Sequence, residues 1–327
     1  MMRAAIVGCG FIGEKRARAL KGRCELTLCC DTTLERAERL SDTVAGAQAT
    51  CDWRETVASS EVDLVFVATT HDMLAPITKA AVQAGKHVLV EKPAARNVAE
   101  LRSVLEAAQT PGALVRVGFN HRYHRAFRKA REIYQSGVLG KMMFIRGRYG
   151  HGGRVGYDRE WRANPELSGG GEAVDQGVHL IDLSRWFLGE FQRVEGYAGT
   201  FFWDLTVDDN AFFLLRTAEN QVAFLHVTWT EWKNLFSFEI YGRYGKLEIS
   251  GLGGSYGVER LAHYQMQPAM GPPDTIIYEY PMADDSWERE TDEFLDDIRL
   301  GRMPSPGLED AMRALEIIEQ VYNRSKT

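Results

Sequence analysis

The stretch RAAIVGCGFIGEKRARAL constrains this chain more than any other. An apolar run the length of one buried strand leads directly into glycines at Gly8, Gly10 and Gly13, and an amphipathic helical pattern follows. In that context the first glycine makes a tight turn, the second lets the backbone approach a pyrophosphate, and the third lets the helix pack close to the strand. The phosphate charge then meets N–H groups at the helix N-terminus. The same rhythm recurs in ELTLCC, VDLVFVATT, HVLVEKP and ALVRVGFN, with helical patterns between them. Strands that are apolar throughout need cover on both faces. Residues 1–120 are therefore predicted to form a doubly wound α/β domain with a parallel sheet. Two helix starts carry capping-box spacing, Thr32 with Glu35 and Asn97 with Glu100.

After Asn120 the rhythm changes. AFRKAREIYQSG and VDQGVHLIDLSRWFLG read as helices. KMMFIRGRYG, EGYAGTFFW, NAFFLLRT, QVAFLHVTWTEW, FSFEIYG and GKLEISG read as consecutive strands with turn signals between them. TDEFLDDIRLG and LEDAMRALEIIEQVYN close the chain as helices, joined through Pro304 and Pro306. Residues 121–327 are thus predicted to be an α+β domain with a large, open, mostly antiparallel sheet, its last helices free to pack back toward the first domain. In QVAFLHVTWTEW one face carries Val222, Phe224, His226, Thr228 and Trp232, the other Ala223, Leu225, Val227 and Trp229. Neither face is polar enough for water, so a homodimer or homotetramer through this sheet is expected.

Net charge excludes some functions. With 39 basic and 45 acidic side chains the formal charge is −6, a poor basis for binding nucleic acid or an anionic membrane. No apolar run is long enough to span a bilayer and no secretory signal is evident, so a cytoplasmic location is expected. The five cysteines, Cys9, Cys24, Cys29, Cys30 and Cys51, are odd in number and crowd the first part of the chain. They fit neither a disulfide framework nor a zinc template, and read as small buried hydrophobes.

The site residues follow from position. Asp31 closes the second strand about twenty residues after the glycines, where a carboxylate binds ribose hydroxyls and repels a 2′-phosphate. NAD is therefore expected over NADP, although Arg36 leaves dual specificity open. Ala68, Thr69 and Thr70 end the third strand at the ligand edge, and His71 either touches the cofactor or begins the next helix. Phe11 and Ile12 flank the glycines, and Glu91 and Lys92 end the HVLVEKP strand at the same edge. Pro93 restrains the backbone that aims Lys92. Further on, SGGGEAVDQGVHLIDLSRW sets Asp175 and His179 four apart on one helical face, with Asp182 a turn beyond. Acid–base chemistry suits the pair better than metal, since no third ligand stands at a recognisable spacing.

Taken together, GCGFIG, EKP and GGGEAVDQGVHLIDLSRW, with GFNHRYHRAFRKA at the domain junction, resemble the Gfo/Idh/MocA family, named for glucose–fructose oxidoreductase and inositol dehydrogenase. The resemblance implies a Rossmann domain, an α+β domain with an open sheet, and hydride transfer between a nicotinamide and a sugar or cyclitol carbon. It also implies that Lys92 hydrogen-bonds the reacting oxygen, while Asp175 and His179 position the hydroxyl and move its proton. Other readings remain: a glycoside hydrolase that oxidises transiently with bound NAD, or a non-catalytic NAD-binding sensor.

The segment RGRYGHGGRVGYDREWR gathers Arg146, Arg148, His151, Arg154, Arg159 and Arg162 with Tyr149, Tyr157 and Trp161 among glycines. Arginine forks suit phosphate or carboxylate, and aromatics stack on rings. Asn120, Arg122, Tyr149, Arg154, Trp161 and Arg162 are the expected substrate contacts, and an anionic or nucleotide-linked sugar is a candidate substrate. The alternative is a basic loop paired with its own acids, Asp158, Glu160 and Glu166.

Overall fold

The computed structural model describes residues 1–109, 112–269 and 271–325. The chain divides into two compact units. The first comprises Met1–Phe119 with Glu166–Gly169 and Trp287–Leu315; the second comprises Asn120–Pro165, Gly170–Ser286 and the chain from Glu316. The contiguous ranges 1–120 and 121–327 differ from these units at the two later stretches that join the first.

In the first unit the chain forms β1 (Arg3–Val7), α1 (Phe11–Leu20), β2 (Glu25–Cys30), α2 (Leu34–Ser41), β3 (Gln48–Thr50) and α3 (Trp53–Ala58). It continues through β4 (Leu64–Val67), α4 (His71–Gln83), β5 (His87–Glu91), α5 (Val98–Ala107) and β6 (Val115–Gly118). The six strands lie parallel in the order β3-β2-β1-β4-β5-β6, the doubly wound order that reverses beside β1. Every residue of β4 and β6 is buried: β4 is an unbroken apolar run, and in β6 the buried Arg116 is paired with Asp297. Ile6, Leu26, Phe66 and Leu89 form one core cluster, and Phe294 from the returning stretch is buried in it. That contact gives the stretch an apolar reason to belong here.

Three local expectations change. The start of α2 is capped by Asp31, whose Oδ1 accepts the Thr33 N–H at 3.0 Å; the capping box from Thr32 does not form. Cys51 is exposed, whereas the other four cysteines are buried. The short β3 and α3 carry too few apolar residues to leave a period in the sequence. At α5 the cap half of the expected box is present: Asn97 Oδ1 accepts the Glu100 N–H at 2.9 Å, while the Glu100 carboxylate accepts the N–H of Arg96, one residue before the cap.

The second unit holds α6 (Arg125–Gln135), β7 (Met142–Gly150), α7 (Pro165–Ser168, which crosses into the first unit) and α8 (Val178–Leu188). Then come β8 (Phe191–Gly199), β9 (Asn210–Thr217), β10 (Val222–Thr228), β11 (Leu235–Gly242), β12 (Gly245–Ser250), β13 (Glu259–Gln265) and β14 (Asp274–Tyr280). Two helices end the chain, α9 (Ser286–Leu300) and α10 (Leu308–Ser325). The sheet order is β14-β13-β12-β11-β7-β10-β9-β8, antiparallel except for the parallel pair β7 and β10. Thr200–Trp203, read as the end of a strand, lie in a loop, and β10 stops at Thr228, so Trp229 and Trp232 fall beyond it. The strands β13 and β14 are additional; their charged and polar residues hide the alternation.

One face of this sheet is covered by α6 and α8, and there Phe213, Leu215, Ala223, Leu225 and Val227 are fully buried. The opposite face keeps Tyr197, Leu214 and Phe224 exposed within the chain. No helix among the described residues is long and apolar enough to cross a membrane.

Candidate active site

In the first unit, the glycine turn is set by close packing. Gly8 has φ +98°, and a Cβ there would sit 2.4 Å from the Ala68 carbonyl oxygen. A Cβ on Gly13 would sit 2.0 Å from the Gly8 carbonyl oxygen, so both positions exclude side chains. Gly10 differs: a Cβ would meet nothing within 4 Å, and no side chain caps the start of α1. An open, uncapped helix N-terminus over a glycine is what a pyrophosphate needs, so these residues fit a dinucleotide. Phe11 is exposed on this rim and Ile12 is half-buried.

Asp31 is buried at the tip of β2. Its Oδ2 accepts the Cys9 N–H at 2.8 Å while Oδ1 accepts that of Thr33. One carboxylate thus ties the glycine turn to the start of α2 and is held in place by both. Ala68, Thr69 and Thr70 are half-buried at the end of β4, and Thr70 Oγ1 bonds Asp72 at 2.6 Å. His71 begins α4; its Nδ1 lies 2.8 Å from the Ser168 carbonyl oxygen.

Beyond β5, Lys92 is half-buried and the Lys92–Pro93 peptide is cis. Ala94 N–H donates to the Glu91 carbonyl oxygen at 2.9 Å, closing a tight turn around Lys92. Glu91, expected at the cofactor, gives its carboxylate to Arg16 of α1, with Nε to Oε1 at 2.7 Å. Arg16 is fully buried and also bonds Glu290 Oε2 at 2.6 Å. Burial pushes the Glu290 carboxyl up to about 7, against the pull of Arg16. No sequence spacing marks this Glu91–Arg16–Glu290 cluster, because its members lie on three separate elements.

In the second unit, residues Ala173–Gly177 form a π-helical turn that runs into α8. Asp175 occupies the middle of it, buried, with Oδ2 accepting from Arg162 Nε at 2.9 Å. Isolated π turns inside helices recur at functional sites. The Asp175 charge holds the Arg162 guanidinium above its usual range. Arg162 also lies over the Trp161 ring, 4.6 Å from its centroid. His179, buried on the first turn of α8, stacks on His121 with centroids 3.8 Å apart and planes 24° from parallel. Tyr149, buried on the inner face of β7, packs on His121 at 5.4 Å. Burial, with the carboxylates of Glu172 and Asp175 nearby, drives the Tyr149 phenol well above its ordinary value, so it stays neutral.

The other expected contacts separate. Arg122 is buried in a fork to Asp182, Nε to Oδ2 at 2.8 Å and Nη2 to Oδ1 at 2.6 Å. That pairing ties Arg122 to α8 within this unit. Asn120 donates from Nδ2 to Ser286 Oγ at 3.0 Å and lies 3.2 Å from His121 Nδ1 through Oδ1. Arg154 pairs with Glu160 at 2.6 Å on the surface, and Arg159 reaches Asp158 at 3.8 Å. Arg146 and Arg148 alternate with Tyr149 along β7 and are exposed on the opposite side of the sheet. The arginine-rich segment is therefore dispersed, with Arg146, Arg154, Arg159 and Arg162 each set against an acid, and Arg162 is the one bonded to Asp175. His121, passed over between Asn120 and Arg122, takes the central place.

Residues 2–119 match the family model for the NAD-binding Rossmann-fold oxidoreductases, and residues 127–248 match the GFO/IDH/MocA C-terminal domain. The chain belongs to the Gfo/Idh/MocA family. Within that family it is similar to levoglucosan dehydrogenase of Pseudarthrobacter phenanthrenivorans, 26% identical over 61% of this chain and 58% of that protein. It is also similar to inositol 2-dehydrogenase of Salmonella typhimurium, 29% identical over 60% of this chain and 57% of the relative. The chain thus spans less than two thirds of the length of either. The solved complex of levoglucosan dehydrogenase with NADH and levoglucosan superposes with a TM-score of 0.89 at 22% identity, covering 99% of this chain and 97% of that one, a likeness of fold.

Proposed function

We propose that this Gfo/Idh/MocA chain is an NAD-dependent dehydrogenase acting on a carbinol carbon of an uncharged sugar or cyclitol ring. The observation that carries the reading is the Asp175–His179 turn, where an acid and an imidazole are buried together and each is braced by a second side chain. NAD, when bound, supplies the hydride acceptor. His179 takes the hydroxyl proton, a role that imidazole fills near neutral pH. Asp175, oriented by Arg162, fixes the hydroxyl, and the Lys92 ammonium stabilises the developing alkoxide.

The pairing of Arg122, Arg154 and Arg159 with their own acids supports an uncharged substrate over an anionic or nucleotide-linked sugar. Levoglucosan and inositol, named in the relatives above, are uncharged polyols. The Asp31 carboxylate, locked by two amides at the ribose position, supports NAD over NADP. The exposed Tyr197, Leu214 and Phe224 on one sheet face support self-association into a dimer or tetramer.

NADH formation over a panel of free sugars, inositols, sugar acids and nucleotide sugars tests the activity. Turnover on a free neutral ring is expected, with Lys92→Ala and His179→Ala each lowering kcat by about a hundredfold or more while NAD still binds. Activity confined to charged sugars overturns the substrate class, and near-normal turnover in either variant removes that residue. A monomer in sedimentation at micromolar concentration overturns the oligomer.

A further inference from the structure

The start of the Asp175 turn is built by a distant residue. A helix ordinarily leaves its first N–H groups to a local cap. Here SGGGE offers no such cap: Glu172 makes no side-chain cap bond, and glycines precede it. Asp208, in the loop before β9, takes the amides instead. Its Oδ1 accepts the Gly171 N–H at 2.9 Å, its Oδ2 that of Ala173 at 2.8 Å, and its carbonyl oxygen that of Glu172 at 3.0 Å. Tyr322 of α10 donates its hydroxyl to the same Oδ1 at 2.6 Å, and the Gly171 N–H also reaches that hydroxyl oxygen at 3.2 Å. The approach leaves no room, since a Cβ on Gly171 would sit 1.8 Å from the Asp208 carbonyl oxygen.

The base of this clamp is rigid. The next residue, Asp209, accepts the N–H groups of Phe201, Phe202 and Trp203 in its carboxylate. The Asp209 backbone bonds Gly199 at the end of β8 and Trp229 just past β10. Asp208 therefore stands on the sheet, and the turn two residues ahead of Asp175 stands on Asp208. Keeping the Asp208 carboxylate there has a cost: burial raises its pKa above the ordinary range in spite of its donors.

We propose that Asp208, oriented by the Tyr322 hydroxyl, is the positioning residue that sets where Asp175 and His179 stand. A displacement of about 1 Å in such groups costs on the order of a hundredfold in rate, so an anchor three amides wide governs turnover without touching substrate. The catalytic consequence rests on the dehydrogenase reading above; the clamp itself does not.

The test compares Asp208→Asn and Tyr322→Phe with the wild-type full-length chain in two measurements. Amide exchange by mass spectrometry on peptides covering Gly171–Gly177 is expected to speed up at least about tenfold in Asp208→Asn, and less in Tyr322→Phe, with Leu183–Leu188 unchanged. Steady-state oxidation of the best neutral ring is expected to show kcat reduced by about ten- to a hundredfold in Asp208→Asn and about three- to tenfold in Tyr322→Phe, with KM within about threefold of wild type. Unaltered exchange at Gly171–Gly177, or unaltered kcat in both variants, overturns the proposal. So does a loss of protection spread evenly over the unit. If Asp208→Asn does not fold, Tyr322→Phe decides alone. A wild type that oxidises no ring overturns the proposed function, and the exchange measurement still decides the clamp.

Discussion

The imidazole of His121 lies against that of His179, centroids 3.8 Å apart, and both rings are buried. A stacked neighbour restricts the rotation of the ring beneath it, and His121 is itself packed against Tyr149 and His124. The plane of His179 is thus determined by a residue 58 positions earlier in the chain. For His121→Ala the expected result is a kcat lowered about tenfold with unchanged NAD affinity, measured by steady-state kinetics and NAD titration. A normal kcat in His121→Ala would remove the stack from the mechanism.

The Arg122–Asp182 fork gives a prediction about stability. Removing one partner leaves a buried charge unmatched, which typically costs about 3–5 kcal/mol, whereas replacing both with apolar groups is often near neutral. Arg122→Leu should therefore lower thermal stability sharply, and Arg122→Leu combined with Asp182→Leu should recover most of it. Equal losses in the single and double variants, by calorimetry, would contradict this.

Glu290 predicts a pH dependence. Its pKa is raised from the ordinary 4.5 to about 7, and its Oε1 is buried with no hydrogen-bond partner among the described residues. A carboxyl raised on folding binds more protons in the native state, so its contribution is present below pH 4.5 and is lost as pH rises through about 7. Thermal melts of wild type and Glu290→Gln across pH 5 to 8 should therefore diverge, the variant gaining relative stability toward the alkaline end. Parallel curves would mean that Glu290 does not titrate in this window.

Asp31 holds two backbone amides, and in the function proposed above it also faces the cofactor, so its removal should show on both. Asp31→Ala is expected to weaken NAD binding about tenfold and to narrow or invert the preference over NADP. Because the Cys9 and Thr33 amides lose their acceptor, it should also cost about 1–2 kcal/mol of stability. Tighter NADP than NAD binding by the wild type would reverse the cofactor assignment.

Much of this molecule is written locally. The parallel sheet was legible because β4 is apolar end to end and β5 is apolar between His87 and Glu91, and the nucleotide turn because Gly8 and Gly13 stand where only glycine fits. Asp175 and His179 were legible as residues four apart; that the first sits in a π turn and the second on the first turn of α8 was not. The arginine-rich segment reads as one basic patch because composition counts charges, but alternation along β7 sends Arg146 and Arg148 to one side of the sheet and Tyr149 to the other. Likewise Arg122 reads as a free fork until Asp182 is found to fill it.

By itself, then, the order of residues determined periodicity, turn positions and which side chains could do chemistry, because these depend on neighbours within a few residues. Tertiary structure alone decided the partners: His121 on His179, Arg162 on Asp175, Asp208 on the amides of Gly171–Ala173, and Arg16 between two glutamates. Each joins residues 13 or more positions apart along the chain. A buried charge or amide is satisfied by whatever the packed sheets and helices bring within about 3 Å, and no local pattern encodes that distance.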